Sequence, residues 1–274
     1  MPIRPPTKSD FPSSLTFTLT PQPPSPQSQS QSRPPPNILL LLHGLGDTHT
    51  PFTNLGTSLA LPETTVLTIQ APNPLPLDIP GFHWGDDINF DSRTGALDMD
   101  AGFAKTTKLL VESVIKSVLV GKCGYKLREI MVLGFGQGGM AGLIAAEKIF
   151  AEGVGNGSGS EEGGGGEMRE LAGVISIGAA YPLSLAGKKS TTTGSDQGKS
   201  RTPVLVVAGR DSEVVTESAM KRTKDVFQFV EMHEYRRRGD TMPRSRDEML
   251  PIMRFFGRRL RSWQGVPEGS VELS

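Results

Sequence analysis

The chain reads Gly134-Phe135-Gly136-Gln137-Gly138-Gly139 between a predicted strand at 129–133 and a predicted helix at 140–150. A strand, a G-x-?-x-G turn and a helix, in that order, are typical of a nucleophile elbow, which presents a catalytic side chain at a sharp turn. Small residues flank the central position because its strained backbone leaves little lateral room. Gly134 and Gly138 supply these flanks, but the central residue is Gly136, which has no side chain to present.

The same stretch also fits the dinucleotide-binding pattern G-x-G-x-x-G, which likewise lies between a strand and a helix. That pattern predicts a following strand that ends in Asp or Glu about 20 residues further on. Residues 153–166 are instead rich in Gly and Ser, and Glu161 and Glu162 lie within them without a strand pattern. A dinucleotide-binding module therefore remains only a lesser alternative.

On both sides of this turn, segments with a strand pattern alternate with segments with a helical pattern. Further strands are predicted at 14–19, 37–42, 64–69, 171–177, 204–208 and 227–235, and further helices at 52–61, 98–120, 217–225 and after a capping box at 245–248. This alternation predicts an α/β domain with a mostly parallel sheet and helices on both faces. Ligands of such sheets bind beyond the carboxyl ends of the strands.

The length of 274 residues suits one large α/β domain and is short for two. Apolar residues make up only 36%, while 32 Gly and 22 Pro are many, which indicates a normal core diluted by low-complexity insertions. We place the domain at 11–264, with disordered insertions at about 21–36, 153–167 and 187–201 and flexible termini at 1–10 and 265–274.

Charge and cysteine content restrict the classes of function. The 29 basic and 29 acidic residues balance, so the composition favours neither a nucleic-acid partner nor an anionic membrane. No window approaches the ~20 apolar residues of a membrane span, and the N-terminus lacks the apolar stretch of a signal peptide. Cys123 is the only cysteine, which fits a reducing compartment, and we expect a cytoplasmic protein. No metal-ligand spacing occurs, and we expect no metal or other cofactor.

A second motif, Leu41-Leu42-His43-Gly44-Leu45-Gly46-Asp47, follows the predicted strand at 37–42. Together with the elbow it resembles the acyl-protein thioesterase, lysophospholipase and carboxylesterase family of α/β-hydrolases. The second motif matches that family's oxyanion loop residue for residue, and the elbow matches its G-F-S-Q-G-G sequence except at the serine. The resemblance covers about residues 37–260, including Trp84 and Asp86, and implies an α/β-hydrolase fold.

The resemblance also implies an oxyanion hole and a nucleophile position. The backbone N–H groups of Leu45 and Gln137 would stabilise the negative charge of a tetrahedral intermediate, and their side chains would matter little. The nucleophile position holds Gly136.

The acid and the base of the family are only partly represented. The segment that carries the acid reads Gly209-Arg210-Asp211-Ser212. Asp211 stands one residue nearer the glycine than the last acid of the family's G-D-x-D and is the best match. The base should lie at or near Met242, where residues 239–243 contain no histidine. The nearest histidine, His233, belongs to the preceding strand.

The other histidines offer no replacement catalytic set. We expect His43 to orient the oxyanion loop, His83 to lie at the surface or line the cleft, and His49 to be an exposed loop residue. Asp47 is expected to hold its turn.

The apolar residues of the loop at 71–84 predict an acyl-binding groove, with core packing as the alternative for Phe82 and Trp84. The groove residues are Leu75, Leu77, Phe82 and Trp84, with Ile79 between them.

The sequence therefore predicts a catalytically impaired relative of these hydrolases. It would bind an acylated protein, a lysolipid or a partner at the entrance of what is the active site in the family. The alternative is an active carboxylic ester or palmitoyl-protein thioester hydrolase with a non-standard catalytic set. The sequence gives no indication of the oligomeric state.

Overall fold

The computed structural model describes residues 2–23, 33–90, 95, 97–155, 169–185 and 198–266. The strands are β1 (Phe17–Thr20), β2 (Asn37–Leu42), β3 (Thr64–Ile69), β4 (Asn73–Pro74), β5 (Phe82–His83), β6 (Ile130–Phe135), β7 (Gly173–Ile177), β8 (Val204–Gly209) and β9 (Val230–Tyr235). The helices are α1 (His49–Leu59), α2 (Ala104–Thr107), which continues into the more loosely wound segment Lys108–Lys122, α3 (Gln137–Gly155), α4 (Glu217–Val226) and α5 (Arg246–Arg259). We call α2 and its continuation the long helix.

Seven of these strands form one sheet in the order β1-β3-β2-β6-β7-β8-β9. β1 runs antiparallel to β3, and every other neighbouring pair is parallel. The predicted mostly parallel sheet is therefore confirmed. β6 lies near the centre of the sheet, so the turn that follows it emerges in the middle of the carboxyl edge. β4 and β5 form a separate antiparallel pair.

The core lies in two layers, one on each face of the sheet. Alternate residues of β2 serve the two layers: Leu40 belongs to the cluster with the long helix and α3, and Leu41 to the cluster with α1 and α5. Every residue of β2 is buried, because a parallel strand covered on both faces has no solvent side. Burial of each leucine side chain contributes about 1.5–3 kcal/mol, so this strand anchors both layers.

The long helix begins later than the predicted 98–120, because its cap comes from elsewhere in the chain. Residues 98–102 form a loop in which Gly102 has a φ of +80° and accepts a hydrogen bond from the Asp86 N–H. The two carboxylate oxygens of Asp86 accept hydrogen bonds from the N–H groups of Ala104 and Lys105, at 2.6 and 2.8 Å. Asp86 thus caps the helix in place of the local acids at 98–100.

The chain closes on itself at the start of β2. The Asn37 side chain donates to the carbonyl oxygen of Arg261 at 2.8 Å and accepts from the Arg261 N–H at 2.8 Å. It also donates to the carbonyl oxygen of Glu63 at 3.0 Å. The segment after α5 is therefore bound to the first residue of a central strand.

The predicted insertions fall mostly on residues 24–32, 156–168 and 186–197, which lie outside the described residues. Within the predicted insertions, 33–36 and 198–201 hold fixed contacts, since Tyr125 Oη donates to Pro35 O at 3.0 Å and Ser200 pairs with Phe227.

The described part of the predicted flexible N-terminus also makes specific contacts. The Arg4 guanidinium binds both carboxylate oxygens of Asp10 at 2.6 and 2.8 Å, and the Arg4 N–H donates to Cys123 O at 3.0 Å. The described residues 2–10 therefore pack onto the end of the long helix. Of the predicted C-terminal tail, 267–274 lies outside the described residues.

Candidate functional site

The glycine-rich turn has the backbone of a nucleophile elbow. β6 ends at Phe135, α3 begins at Gln137, and Gly136 between them has a φ of +51°. The Gly136 N–H donates to Ile177 O at 2.8 Å, and its carbonyl oxygen accepts from Gly139 N at 2.9 Å. The predicted order of strand, strained turn and helix is thus present.

The two flanking glycines are required by space, and the central one is not. A Cβ atom at Gly134 would lie 2.3 Å from Gly138 O, and one at Gly138 would lie 2.4 Å from His43 O. A Cβ atom at Gly136 would meet only Met99 Sδ, at 3.8 Å. The elbow therefore retains room for a side chain at the position where it carries none.

The oxyanion loop leaves the sheet beside the elbow. Leu42 at the end of β2 is paired in register with Gly134 of β6, so both turns leave the carboxyl edge at the same level. In the described part of the chain, the backbone N–H groups of Leu45 and Gln137 donate to no acceptor. Two donors with no acceptor at this edge are what an oxyanion hole requires.

His43 fixes the oxyanion loop from inside. Its ring is fully buried, Nε2 accepts from Ala71 N–H at 2.9 Å, and Nδ1 lies 2.7 Å from Gly44 O. Because Nε2 accepts, the proton resides on Nδ1 and is donated to Gly44 O. Burial lowers the pKa of His43, which keeps the ring neutral. This geometry supports the orienting role expected for His43.

The side chain of Gln137 contributes more than the resemblance implied. It is buried, and its Oε1 accepts from Trp84 N–H at 2.7 Å while its Nε2 donates to Met99 O at 3.1 Å. The first residue of α3 therefore ties two loops to the elbow. Sequence reasoning missed this role because both partners are more than 35 residues away.

Asp211 lies in the loop after β8, where the acid was expected, but its carboxylate is hydrogen-bonded to the backbone. Its Oδ1 accepts from Gly239 N–H at 2.8 Å, and its Oδ2 lies 3.7 Å from the exposed Arg238 Nε. The carboxylate thereby holds the loop before α5 against the loop after β8, where a catalytic acid would hold an imidazole.

A second carboxylate, which the sequence analysis did not single out, lies beside the elbow. Asp240 Oδ1 accepts from Gly209 N–H at 2.9 Å, and Oδ2 accepts from Ser212 Oγ at 2.6 Å. Its Cβ and Phe135 Cε2 lie 2.8 and 3.6 Å from the point where a Cβ of Gly178 would stand. Asp240 is thus packed against the carboxyl ends of β7 and β8. Asp240 lies two residues before Met242, the expected base position, and this proximity in the sequence could have identified it as a site residue.

The predicted base position supplies no base. Met242 is partly buried against the core layer of α1 and α5, and its carbonyl oxygen accepts from Arg237 Nη2 at 3.2 Å. A thioether cannot take up a proton at neutral pH. His233 lies on the edge strand β9, three strands from β6, which at ~4.8 Å per strand is about 14 Å away.

The predicted groove residues do not share one surface. Trp84 is fully buried in the core and donates from Nε1 to His43 O at 2.8 Å, whereas Leu77 is 90% exposed. Leu75 is buried and Phe82 is partly buried against the core. Trp84 therefore takes the core packing that was the alternative for it, and its indole N–H holds the oxyanion loop from the core side.

Two further expectations need correction. His83, expected at the surface or in the cleft, is buried, and burial lowers its pKa. His49 begins α1 and is partly buried, and its Nδ1 lies 2.8 Å from Gln70 Oε1.

The dinucleotide alternative required an acid at the end of the strand after α3. Among the described residues that strand is β7, which is followed by Gly178 and Ala179. In the described ranges, no group of three or more His, Cys, Asp or Glu side chains could hold a metal ion. None of the described helices is long and apolar enough to cross a membrane.

Comparison with known proteins agrees with this geometry. Residues 24–152, a little under half of the chain, match the phospholipase/carboxylesterase family model. An uncharacterized hydrolase of Schizosaccharomyces pombe is 32% identical over 153 residues, which are 54% of this chain and 55% of that protein. An uncharacterized hydrolase of Mycosarcoma maydis is 40% identical over 111 residues, 39% of this chain and 40% of that protein. The chain thus spans about half the length of the curated relatives it matches, or less.

Solved structures share the fold at low sequence identity. Esterase PE8 has a TM-score of 0.64 at 18% identity, over 90% of this chain and 99% of that one. Acyl-protein thioesterase 2 of Zea mays has a TM-score of 0.58 at 21% identity, with the same coverage. The chain therefore has an α/β-hydrolase fold, and its resemblance to the phospholipase and carboxylesterase family is confirmed.

Two of the elbow glycines, Gly136 and Gly138, should respond differently to substitution by serine. Gly136→Ser should fold and lose only about 1–3 kcal/mol, because its Cβ has room and the cost is that of a non-glycine residue at positive φ. Gly138→Ser should fail to fold or lose far more, because its Cβ would collide with backbone. Urea unfolding of the two variants and the wild type measures this difference. Equal destabilisation of both variants would contradict the geometry.

His43 should make the stability depend on pH. The pKa of this buried ring lies below its ordinary value of 6.5 in the folded state, so below about pH 6.5 the unfolded chain takes up a proton that the folded chain does not. Stability should therefore fall as the pH falls. His43→Gln, which keeps an acceptor for Ala71 N–H, should reduce the slope between pH 6 and 5 by up to about 1.4 kcal/mol per pH unit, the limit for one proton. Urea titrations with His49→Gln as matched control test this, and an unchanged slope in His43→Gln would refute it.

Proposed function

We propose that this chain is a catalytically impaired α/β-hydrolase that binds an acyl-bearing ligand, an acylated protein or a lysolipid, without hydrolysing it. The observation that carries the proposal is an intact elbow whose central residue, Gly136, has space for a side chain and possesses none.

The chemistry of acyl transfer supports the loss of activity. A serine-type hydrolase needs an oxygen nucleophile and a base that accepts its proton. Gly136 supplies no nucleophile, Met242 supplies no base, and the Asp211 carboxylate is engaged with Gly239 N–H. In a serine protease, deletion of such groups costs roughly a million-fold in rate, and the oxyanion hole and binding retain ~10³–10⁴ over water. What remains is suited to binding.

The surroundings of the elbow support an acyl-bearing ligand. The N–H groups of Leu45 and Gln137 can donate to a carbonyl or carboxylate oxygen. Large apolar side chains are exposed in the loop between β4 and β5, in the loop after β5 and in the segment after β7. These are Leu77 (90% exposed), Ile79 (52%), Phe90 (63%) and Leu183 (65%). Exposed large apolar side chains in these loops favour contact with a hydrophobic ligand or partner.

The comparisons and the cysteine content give further support. One neighbour in fold is named an acyl-protein thioesterase and others are named esterases or carboxylesterases, so acyl compounds are the first ligands to test. The single Cys123 is buried, as a structural thiol of a cytoplasmic protein would be. A cytoplasmic location is part of the proposal.

An esterase assay on p-nitrophenyl butyrate tests the loss of activity and its cause. Wild-type protein should release nitrophenol no faster than a heat-denatured sample, whereas Gly136→Ser combined with Met242→His should gain turnover that neither single variant has. In the active double variant, adding Asp211→Asn or Asp240→Asn identifies which carboxylate orients the new base. Wild-type turnover that Asp211→Asn abolishes would overturn the proposal in favour of an active enzyme with a non-standard catalytic set.

The exposed leucines Leu77 and Leu183 should contribute to ligand binding. Leu77→Asp and Leu183→Asp should each weaken the binding of lysophosphatidylcholine, measured by calorimetry below its micelle concentration, by about fivefold or more, because each removes roughly 1–2 kcal/mol of apolar contact. Leu250→Asp is the matched control, since Leu250 is 40% exposed on α5. Equal weakening by all three variants would show that the ligand binds elsewhere.

A further inference from the structure

A cleft of about 540 Å³ lies between the long helix and α3, and no residue of the elbow or of the oxyanion loop lines it. Its apolar lining comes from Phe103 and Val111 on the side of the long helix, Ile144 on α3 and Leu185 after β7. A volume of this size is within the range of small-molecule sites. A mostly apolar lining with a few polar groups is the usual composition of such sites.

Carboxylates outnumber ammonium groups around this cleft. Asp86, Glu112, Glu147 and Glu152 line it, together with Lys108 and Lys148, which gives its walls a formal charge of −2. Such a cleft attracts cations more strongly than anions.

Most of these charges already have partners. Asp86 caps the long helix through the N–H groups of Ala104 and Lys105. Glu152 pairs with Lys116 and Lys148, and Glu112 pairs with Lys116. Lys108 is exposed and therefore hydrated.

Glu147 differs from the other carboxylates of the cleft. Its side chain is partly buried, and it has no hydrogen-bond or ion-pair partner within the described residues. Burial raises the pKa of Glu147, because its carboxylate loses water. The charge of nearby Lys148 offsets part of this effect, and that of Glu152 adds to it. A cation in the cleft would restore that lost stabilisation, and a charge-assisted hydrogen bond to a carboxylate is stronger than a neutral one.

We propose that this cleft binds an amphipathic primary amine. Its alkyl chain lies on Phe103, Val111, Ile144 and Leu185, and its ammonium group donates a hydrogen bond to Glu147. The site is distinct from the elbow and does not depend on whether the elbow binds acyl ligands or hydrolyses them.

Calorimetry with three probes of equal chain length tests the ligand chemistry. At pH 7.5, wild-type protein should bind decylamine more tightly than decanol, and decanol more tightly than decanoate. Glu147→Gln should weaken decylamine binding by about tenfold or more, since it replaces a charge-assisted hydrogen bond by a neutral one. Decanol binding should change less than twofold.

Two control variants make this experiment decisive. Glu112→Gln removes a carboxylate that also lines the cleft but is paired with Lys116, and it should change decylamine affinity by less than twofold. Gly136→Ser alters the elbow and should leave decylamine affinity unchanged. The proposal is overturned if folded Glu147→Gln binds decylamine as tightly as wild type, if decanoate matches decylamine, or if Gly136→Ser removes binding.

Discussion

The backbone contact between the turn after β6 and the end of β2 is the constraint on which the site depends. Gly138 lies so close to the carbonyl oxygens of Leu42 and His43 that no side chain fits between them. This contact brings the oxyanion loop and the first turn of α3 to one place. His43 and Gln137 then hold the contact from inside, through Ala71 on one side and through Trp84 and Met99 on the other. None of these bonds requires a nucleophile, so the architecture can persist with glycine at its centre.

The carboxylates near the elbow serve the scaffold. Asp211 binds the backbone of Gly239, and Asp240 binds the backbone of Gly209 and the hydroxyl of Ser212. Together they join the loop after β8 to the loop before α5. In an active hydrolase a carboxylate in this region orients a histidine. Here the same type of side chain maintains the shape of an edge that has no imidazole to orient.

Local patterns in the sequence predicted the sheet and the elbow well, because both depend on residues that are close together in the sequence. The continuous apolar run of β2 indicated a strand covered on both faces, and Ser245 caps α5 by accepting from Glu248 N–H, as the capping box predicted. Contacts between distant residues could not be predicted in this way. Asp86 moves the start of the long helix from 18 residues away, and Asp240 reaches across from the loop before α5.

The burial of single side chains in irregular loops was equally out of reach. Trp84 and Leu77 lie in one proline-rich loop with no periodicity, yet one is fully buried and the other is 90% exposed. Lys116 on the long helix and Lys148 on α3 both pair with Glu152, whereas Glu147 has no such partner among the described residues. Tertiary packing decides which side chains are buried and which charges are paired, and the hydrophobic pattern of a single segment does not predict this.

The two hydrogen bonds between the Asn37 side chain and the Arg261 backbone affect how the chain can fold during its synthesis. They join residues 224 positions apart, and β2 must also wait for β6 before it has a neighbour on that side. During synthesis, a long N-terminal portion therefore leaves the ribosome with a strongly apolar strand and no complete sheet to receive it. Strand pairing between distant segments is slow and leaves apolar surface exposed while it proceeds. We therefore expect the nascent chain to depend on chaperones until nearly its whole length has been made.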